Sequence, residues 1–187
     1  KKVLTVASNP GHCLWSGIVP RERAAKVVQR LMAPDMWCKW GIRTLSTTNP
    51  AFNPYNYQNG SIWPHDNAII AMGFRRYGFN AEAAQVARAI SEAGSHFLLD
   101  QLPELYTSSV SREPLFPIQY LGANVPQAWA AGSVFMLMQT MLGFMPDAPR
   151  GKLYVDPDLP TWLPALTVTD LRLNQRKFDI RFWREGD

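Results

Sequence analysis

Two stretches of this chain, 35–63 and 100–124, constrain its fold more than any regular element does. Both exceed the usual length of a connection in a compact domain, and connections that long are generally functional or disordered. Their content argues against disorder. Trp37, Trp40, Tyr55, Tyr57 and Trp63 lie in the first, and Glu104, Tyr106, Phe116 and Tyr120 in the second.

The segments around them read as helices. Apolar spacing predicts helices over 20–33, 64–77, 80–99 and 126–141, with a shorter one near 12–18. Ala24, Val27, Val28 and Leu31 share one face of the first, which starts at Pro20 and stops before Pro34. Gly78 ends the second, and Asn80 is expected to cap the third. Helix 64–77 carries Ile69, Ile70, Met72 and Phe74, and helix 126–141 carries the run VFMLMQTML. Both are apolar nearly all round, which predicts burial on every side. After Pro146 the pattern changes: residues 153–155, 166–168, 171–173 and 177–183 are β-branched or alternate at period two. The expected architecture is mainly α, a helical domain over 1–146 closed by a short antiparallel β appendage over 147–187.

Composition narrows the function classes. With 47% apolar residues and seven tryptophans the chain is globular, and its 187 residues suit one domain. No apolar run approaches the roughly 18 residues of a membrane helix, so no membrane partner is expected. The start resembles no signal peptide; it lacks methionine and opens in structured-looking sequence, which suggests part of a longer protein. Arg172, Arg176, Lys177, Arg181 and Arg184 interleave with Phe178, Phe182 and Trp183, a pattern that could contact nucleic acid. The solvent face of two terminal strands accounts for it better, and no nucleic-acid partner is expected. Cys13 and Cys38 read as two buried free thiols. His12, His65 and His96 lack ligand spacing, so no metal site is expected, and no cofactor has support in the sequence.

Residues 53–70 carry the most chemistry. An aromatic, amide-rich loop runs into Trp63-Pro64 and there becomes a helix. Proline suits the first helical turn, where its missing N–H would have had no partner. Asp66 and Asn67 follow beside the positive end of the helix dipole. Rings can cover the apolar faces of a pyranose while amides and carboxylates pair with its hydroxyls. Residue types alone also fit a well-capped helix beneath an aromatic core loop.

Four motifs occur in order: GIRTLS at 41–46, NPYNYQNGSIWPHDN at 53–67, LPELY at 102–106 and PQAWAAG at 126–132. With SNPGH at 8–12 and LPTWL at 159–163, the chain resembles the C-terminal part of bacterial amylo-α-1,6-glucosidases (glycogen debranching enzyme-like), in the six-hairpin glycosidase superfamily. The resemblance implies about half of an (α/α)6 toroid and a cytoplasmic enzyme that cleaves α-1,6-glucosidic branch linkages of glycogen-like α-glucans with inversion. Such hydrolysis uses two carboxyl groups, one protonating the leaving oxygen and the other activating water. Glu104 is implied as the general base, with Glu113 as the competitor in its loop. No residue here matches the general acid, which the family draws from an earlier loop. Substrate binding is implied for Trp63, His65, Asp66, Tyr57, Asn59, Gln127 and Trp129. Asp66 equally suits a helix-capping role, and Trp129 a core one. Gln58 stands where related sequences often have histidine. The expected partners are an α-glucan and the missing N-terminal half of the domain; alone the fragment would be inactive and prone to self-association. Trehalase-, glucosidase- or mannosylglycerate hydrolase-like specificity, or a non-catalytic carbohydrate-binding module, are the alternatives.

Overall fold

Glycine decides how the first helices meet. In the computed structural model, which describes residues 4–109 and 116–185, α1 (Pro10–Ser16) lies against α3 (Pro64–Arg76). A Cβ built on Gly73 would stand 2.7 Å from the Trp15 nitrogen and 2.9 Å from the Gly11 carbonyl oxygen, and one on Gly11 would stand 2.4 Å from Ile70 Cγ1. Only glycine at both positions permits this backbone approach. Leu14, Ile70, Phe74, Val86 and Ile90 are fully buried in the resulting core, to which α2 (Arg21–Leu31) and α4 (Asn80–Gly94) contribute.

The described residues contain five α-helices, two short 3-10 turns and four two-stranded antiparallel sheets, so the regular structure is mainly helical. It forms two compact units, Lys1–Leu137 and Met138–Asp187, and the division falls within α5 (Ala128–Leu142). No helix among the described residues is long and apolar enough to cross a membrane.

The helix positions follow the sequence pattern closely, with three departures. Asn80 is the first residue of α4, and Phe79 takes the N-cap position ahead of it. Gly78 takes φ +86°, and the Phe79 N–H closes back on the Phe74 carbonyl at 3.0 Å, so α3 turns into α4 with no room for a separate capping residue. Next, α4 stops at Gly94 rather than Leu99; Leu99 and Asp100 take left-handed φ near 55°, which no continuing helix accommodates. Lastly, α5 is not buried all round. Ala130, Ser133, Leu137 and Met141 form a buried stripe, whereas Val134 and Phe135 are 43% and 73% exposed. Apolar composition signals a face that can be buried; among the described residues only one stripe of α5 finds a partner.

The first long loop of the first unit is fastened to α3, and the second is fastened to the first. The Asn67 side chain accepts the Ile42 N–H at 2.7 Å and donates to the carbonyls of Ile42 at 3.1 Å and Trp63 at 3.0 Å. It thereby ties the β1–β2 ribbon (Trp37–Cys38, Gly41–Ile42) to the first turn of α3. Ile62 and Tyr106 exchange backbone hydrogen bonds at 2.8 and 3.0 Å, joining the first loop to β3 (Tyr106–Thr107), which pairs with β4 (Ile118–Gln119). The buried Tyr106 hydroxyl donates to the Trp40 carbonyl at 2.7 Å. The thiols depart from expectation: Cys13 and Cys38 are free but only part-buried, and Cys38 Sγ donates to the Gly41 carbonyl in the ribbon turn.

The second unit is a β-structure built on its own small core. β5 (Met145–Asp147) pairs with β6 (Lys152–Tyr154), and β7 (Ala165–Leu173) with β8 (Arg176–Trp183) across a register shift between Val168 and Leu171. Leu142, Leu159 and Phe182 form its centre, with Phe144, Leu163, Leu166, Val168 and Ile180 around them. The period-two pattern of β8 puts Ile180 and Phe182 inward, while Arg172, Arg176, Lys177 and Arg181 are exposed.

Candidate functional site

The site grows from the two fastened loops and the first turns of α3 and α5. Glu104 is buried, 4% exposed, although it carries a carboxylate. Its backbone N–H donates to the Asn124 carbonyl at 3.0 Å, and its Oε2 accepts the Asn124 backbone N–H at 3.3 Å and Nδ2 at 3.0 Å. Oε1 accepts the Tyr57 hydroxyl in a short hydrogen bond, and the Gln127 side chain also donates to the carboxylate. The Tyr57 hydroxyl is the strongest influence holding Glu104 below the ordinary glutamate pKa; burial opposes it, and the Asn124 and Gln127 donors reinforce it. Reciprocally, the adjacent carboxylate raises the Tyr57 phenol.

Aromatic rings continue from there. Tyr57 meets Trp63 edge-on at 4.9 Å and leans on Tyr120 at 5.9 Å. Trp63 is buried, and its indole N–H is committed to the Tyr57 carbonyl and Ser61 Oγ, so it backs the cluster from beneath. His65 stacks face to face on Trp129 at 3.9 Å with 10° between the planes, and both meet Trp63 edge-on. Trp129 is 48% exposed, so it is no core residue; it roofs the His65 imidazole. Burial lowers the His65 pKa, and its Nδ1 is buried without a hydrogen-bond partner among the described residues.

A second carboxylate lies beside this cluster. Asp66, 7% exposed, accepts His12 Nε2 at 2.5 Å through Oδ1, while its Oδ2 is buried with no partner among the described residues. That hydrogen bond raises the His12 pKa. His65 feels the charges of Asp66, His12 and Glu104, so all four groups share one electrostatic neighbourhood.

The structure thus brings Glu104, Tyr57, Trp63, His65, Asp66, Gln127 and Trp129 together. Asn59 is not brought into this group by any contact among the described residues; its carbonyl accepts the Asn53 N–H at 2.7 Å within the loop, and Gln58 is exposed. Glu113 lies outside the described residues. Sequence reasoning missed His12 and Asn124 as site residues. His12 sits 54 positions from Asp66, on a helix too short to display a periodic face. Asn124 was legible only as the residue before the last helix, although it holds Glu104 by both backbone and side chain. Among the described residues, no three His, Cys, Asp or Glu side chains gather as a metal set.

Residues 9–103, just over half of the chain, match the family model of the mannosylglycerate hydrolase MGH1-like glycoside hydrolase domain. The chain belongs to this glycoside hydrolase family. Its MGH1-like segment holds His12, Tyr57, Trp63, His65 and Asp66, and ends one residue before Glu104. The chain is 32% identical over 73 residues to a mannosylglycerate hydrolase of Thermus thermophilus, an alignment covering 39% of the chain and 18% of that protein. It is similar in fold to a GH63 mannosylglycerate hydrolase of known structure, also from Thermus thermophilus. The structure in complex with Tris aligns at TM-score 0.56 and 24% identity over 74% of this chain, and that in complex with glucose at 0.57 and 23% over 74%. The chain spans about 30% of those structures. These relatives support a six-hairpin glycosidase and do not single out amylo-α-1,6-glucosidase among such enzymes.

Proposed function

We propose that this chain forms one wall of the active site of an inverting six-hairpin α-glycosidase, with Glu104 as the general base. The observation that carries the reading is a buried carboxylate held ionised by neutral donors at the edge of an aromatic cluster. A general base must be ionised at working pH, and hydroxyl and amide donors stabilise its charge without neutralising it. Tyr57, Trp129 and the His65 imidazole supply ring surface, and Asp66 a carboxylate, beside it. On this reading the helices belong to an (α/α)6 toroid, and the general acid comes from outside residues 1–187.

A small α-glycoside such as mannosylglycerate is the substrate we favour, because the family model and the curated relative carry that activity in their names. The second reading, cleavage of α-1,6-glucosidic branch linkages, rests on the four ordered motifs. The test compares wild type and Glu104→Gln in the intact protein on mannosylglycerate and on a branched α-glucan. Glutamine keeps size and reach but removes the base, so turnover should fall by at least about a hundredfold with sugar binding retained. A mutant nearly as fast as wild type would refute the base assignment, and the preferred glycoside would choose between the two substrates.

A further inference from the structure

A carboxylate buried in the first turn of α3, one of its oxygens without a partner among the described residues, is costly unless something outside the helix holds it. In this fold that holder comes from α1. The glycine-on-glycine crossing of α1 and α3 brings His12 to Asp66, so the pair depends on a packing contact that tolerates no added carbon atom. Just ahead of Asp66 in sequence stand Trp63, the base of the ring cluster, and His65, stacked under Trp129. The first turn of α3 therefore carries the rings at one end of the site; Asn67 fastens it to the β1–β2 ribbon, and His12 braces it from α1.

We propose that His12 is a positioning residue of the glycosidase site, which through Asp66 holds the first turn of α3 and thereby sets the Trp63, His65 and Trp129 rings against the sugar. The inference rests on the glycosidase reading above. It explains why a half-exposed histidine is spent on a buried carboxylate in place of a lysine or arginine: imidazole is short and rigid enough for the close α1–α3 approach. Among the described groups, Asp66 is the charge acting on His12, and His65 the neighbouring titratable group on α3. Arg76, also on α3, is occupied further along α1, donating to the Trp15 carbonyl at 3.3 Å. The His12 pKa is raised in the fold. The brace is therefore complete below the ordinary histidine pKa and weakens as pH rises through the higher folded value.

Two measurements on the intact protein test this. The first follows kcat and KM on mannosylglycerate against pH for wild type and His12→Gln. A loss of kcat/KM on the order of tenfold to a hundredfold is expected for His12→Gln at low pH, as for misplaced binding groups generally. The wild-type decline at higher pH should disappear in the variant. Wild-type kinetics in His12→Gln across the pH range would overturn the proposal. The second titrates His12 in wild type by NMR with labelled histidine while recording tryptophan fluorescence. The two should report one shared pKa above the ordinary histidine value. An ordinary His12 pKa, or fluorescence indifferent to it, would overturn the proposal without any variant having to fold. Absence of turnover in wild type, with the shared pKa present, would refute the glycosidase reading and leave the brace standing.

Discussion

Glu104 and Asp66 are both buried carboxylates within one electrostatic neighbourhood, yet the fold satisfies them in opposite ways. Glu104 is surrounded by neutral donors, the Tyr57 hydroxyl and the amides of Asn124 and Gln127. Asp66 leans on one titratable partner, His12, and its buried Oδ2 has no partner among the described residues. Neutral donors stabilise a charge at every pH at which the carboxylate is ionised, and they leave it formally uncompensated. A histidine partner compensates the charge but withdraws its proton near neutrality. The first arrangement suits a group that must act as a base, and the second suits a structural joint. The same residue class is thus sorted into two roles by the chemistry of its neighbours.

Tyr57→Phe should break the Glu104 half of this comparison most severely. It deletes the donor that contributes most to holding the carboxylate ionised while keeping the ring that meets Trp63. The Glu104 pKa is depressed by that donor, so activity that needs the ionised base is lost only as pH falls through the lowered value. In Tyr57→Phe the pKa moves up, and the acid limb of the pH–rate profile should move with it to higher pH. Turnover at the plateau should fall by roughly tenfold or more, since base strength and orientation both change. A pH–rate profile with an unmoved acid limb would show that another group sets it.

Asn67→Ala addresses the frame that both carboxylates share. Its side chain makes three buried hydrogen bonds; truncation removes the side-chain partner of the Ile42 N–H and one donor from each of the Ile42 and Trp63 carbonyls, the latter keeping the residue-67 backbone N–H at 3.1 Å. At the usual cost of a stranded buried polar group, stability should fall by about 1–3 kcal/mol, read from denaturant unfolding of the intact protein. A smaller loss would mean that the ribbon is held to α3 by packing instead.

Trp129→Ala sharpens the Asp66 half at smaller cost. The indole is half-exposed, so little core is lost, but the face of His65 is uncovered. Because burial is the main reason the His65 pKa is low, that pKa should rise toward the ordinary histidine value. Histidine NMR would read the shift directly, and weaker sugar binding should accompany it.

Much of this arrangement could be read from the chain, and the gaps have physical causes. Pro64 and Gly78 bound α3 because each has a conformational restriction or freedom that operates locally. The period-two pattern at 177–183 foretold the inward Ile180 and Phe182 for the same reason: alternation is a property of the strand itself. The exposed face of α5 was illegible, since composition states that a face is apolar and not whether anything lies against it. His12 was illegible because its meaning depends on two glycines, Gly11 and Gly73, far apart in the chain, that let α1 approach α3. Tyr57 and Glu104 could be named separately from the motifs, but their hydrogen bond depends on the Ile62–Tyr106 bridge between the two long loops.

The smallest expected effect comes from a third carboxylate, one that neither half of the comparison describes. Asp35 takes both guanidinium nitrogens of Arg30 and the Ser46 hydroxyl, and its pKa is lowered to about 2, chiefly by Arg30. Here the compensating charge is permanent, so the pair should act on stability and not on the pH profile of activity. Its folded pKa lies below the unfolded one; the stabilisation is therefore fully present above about pH 4 and is lost as pH falls toward 2. Arg30 is 39% exposed at its side chain, and solvent screening limits the worth of such a pair to about 1 kcal/mol or less. Arg30→Gln should accordingly lower stability slightly at pH 7 and progressively less as pH falls through about 2, with kcat/KM unchanged throughout. A change in kcat/KM would mean that the 35–63 loop transmits the state of its far end to Tyr57, and that the site is braced from three directions.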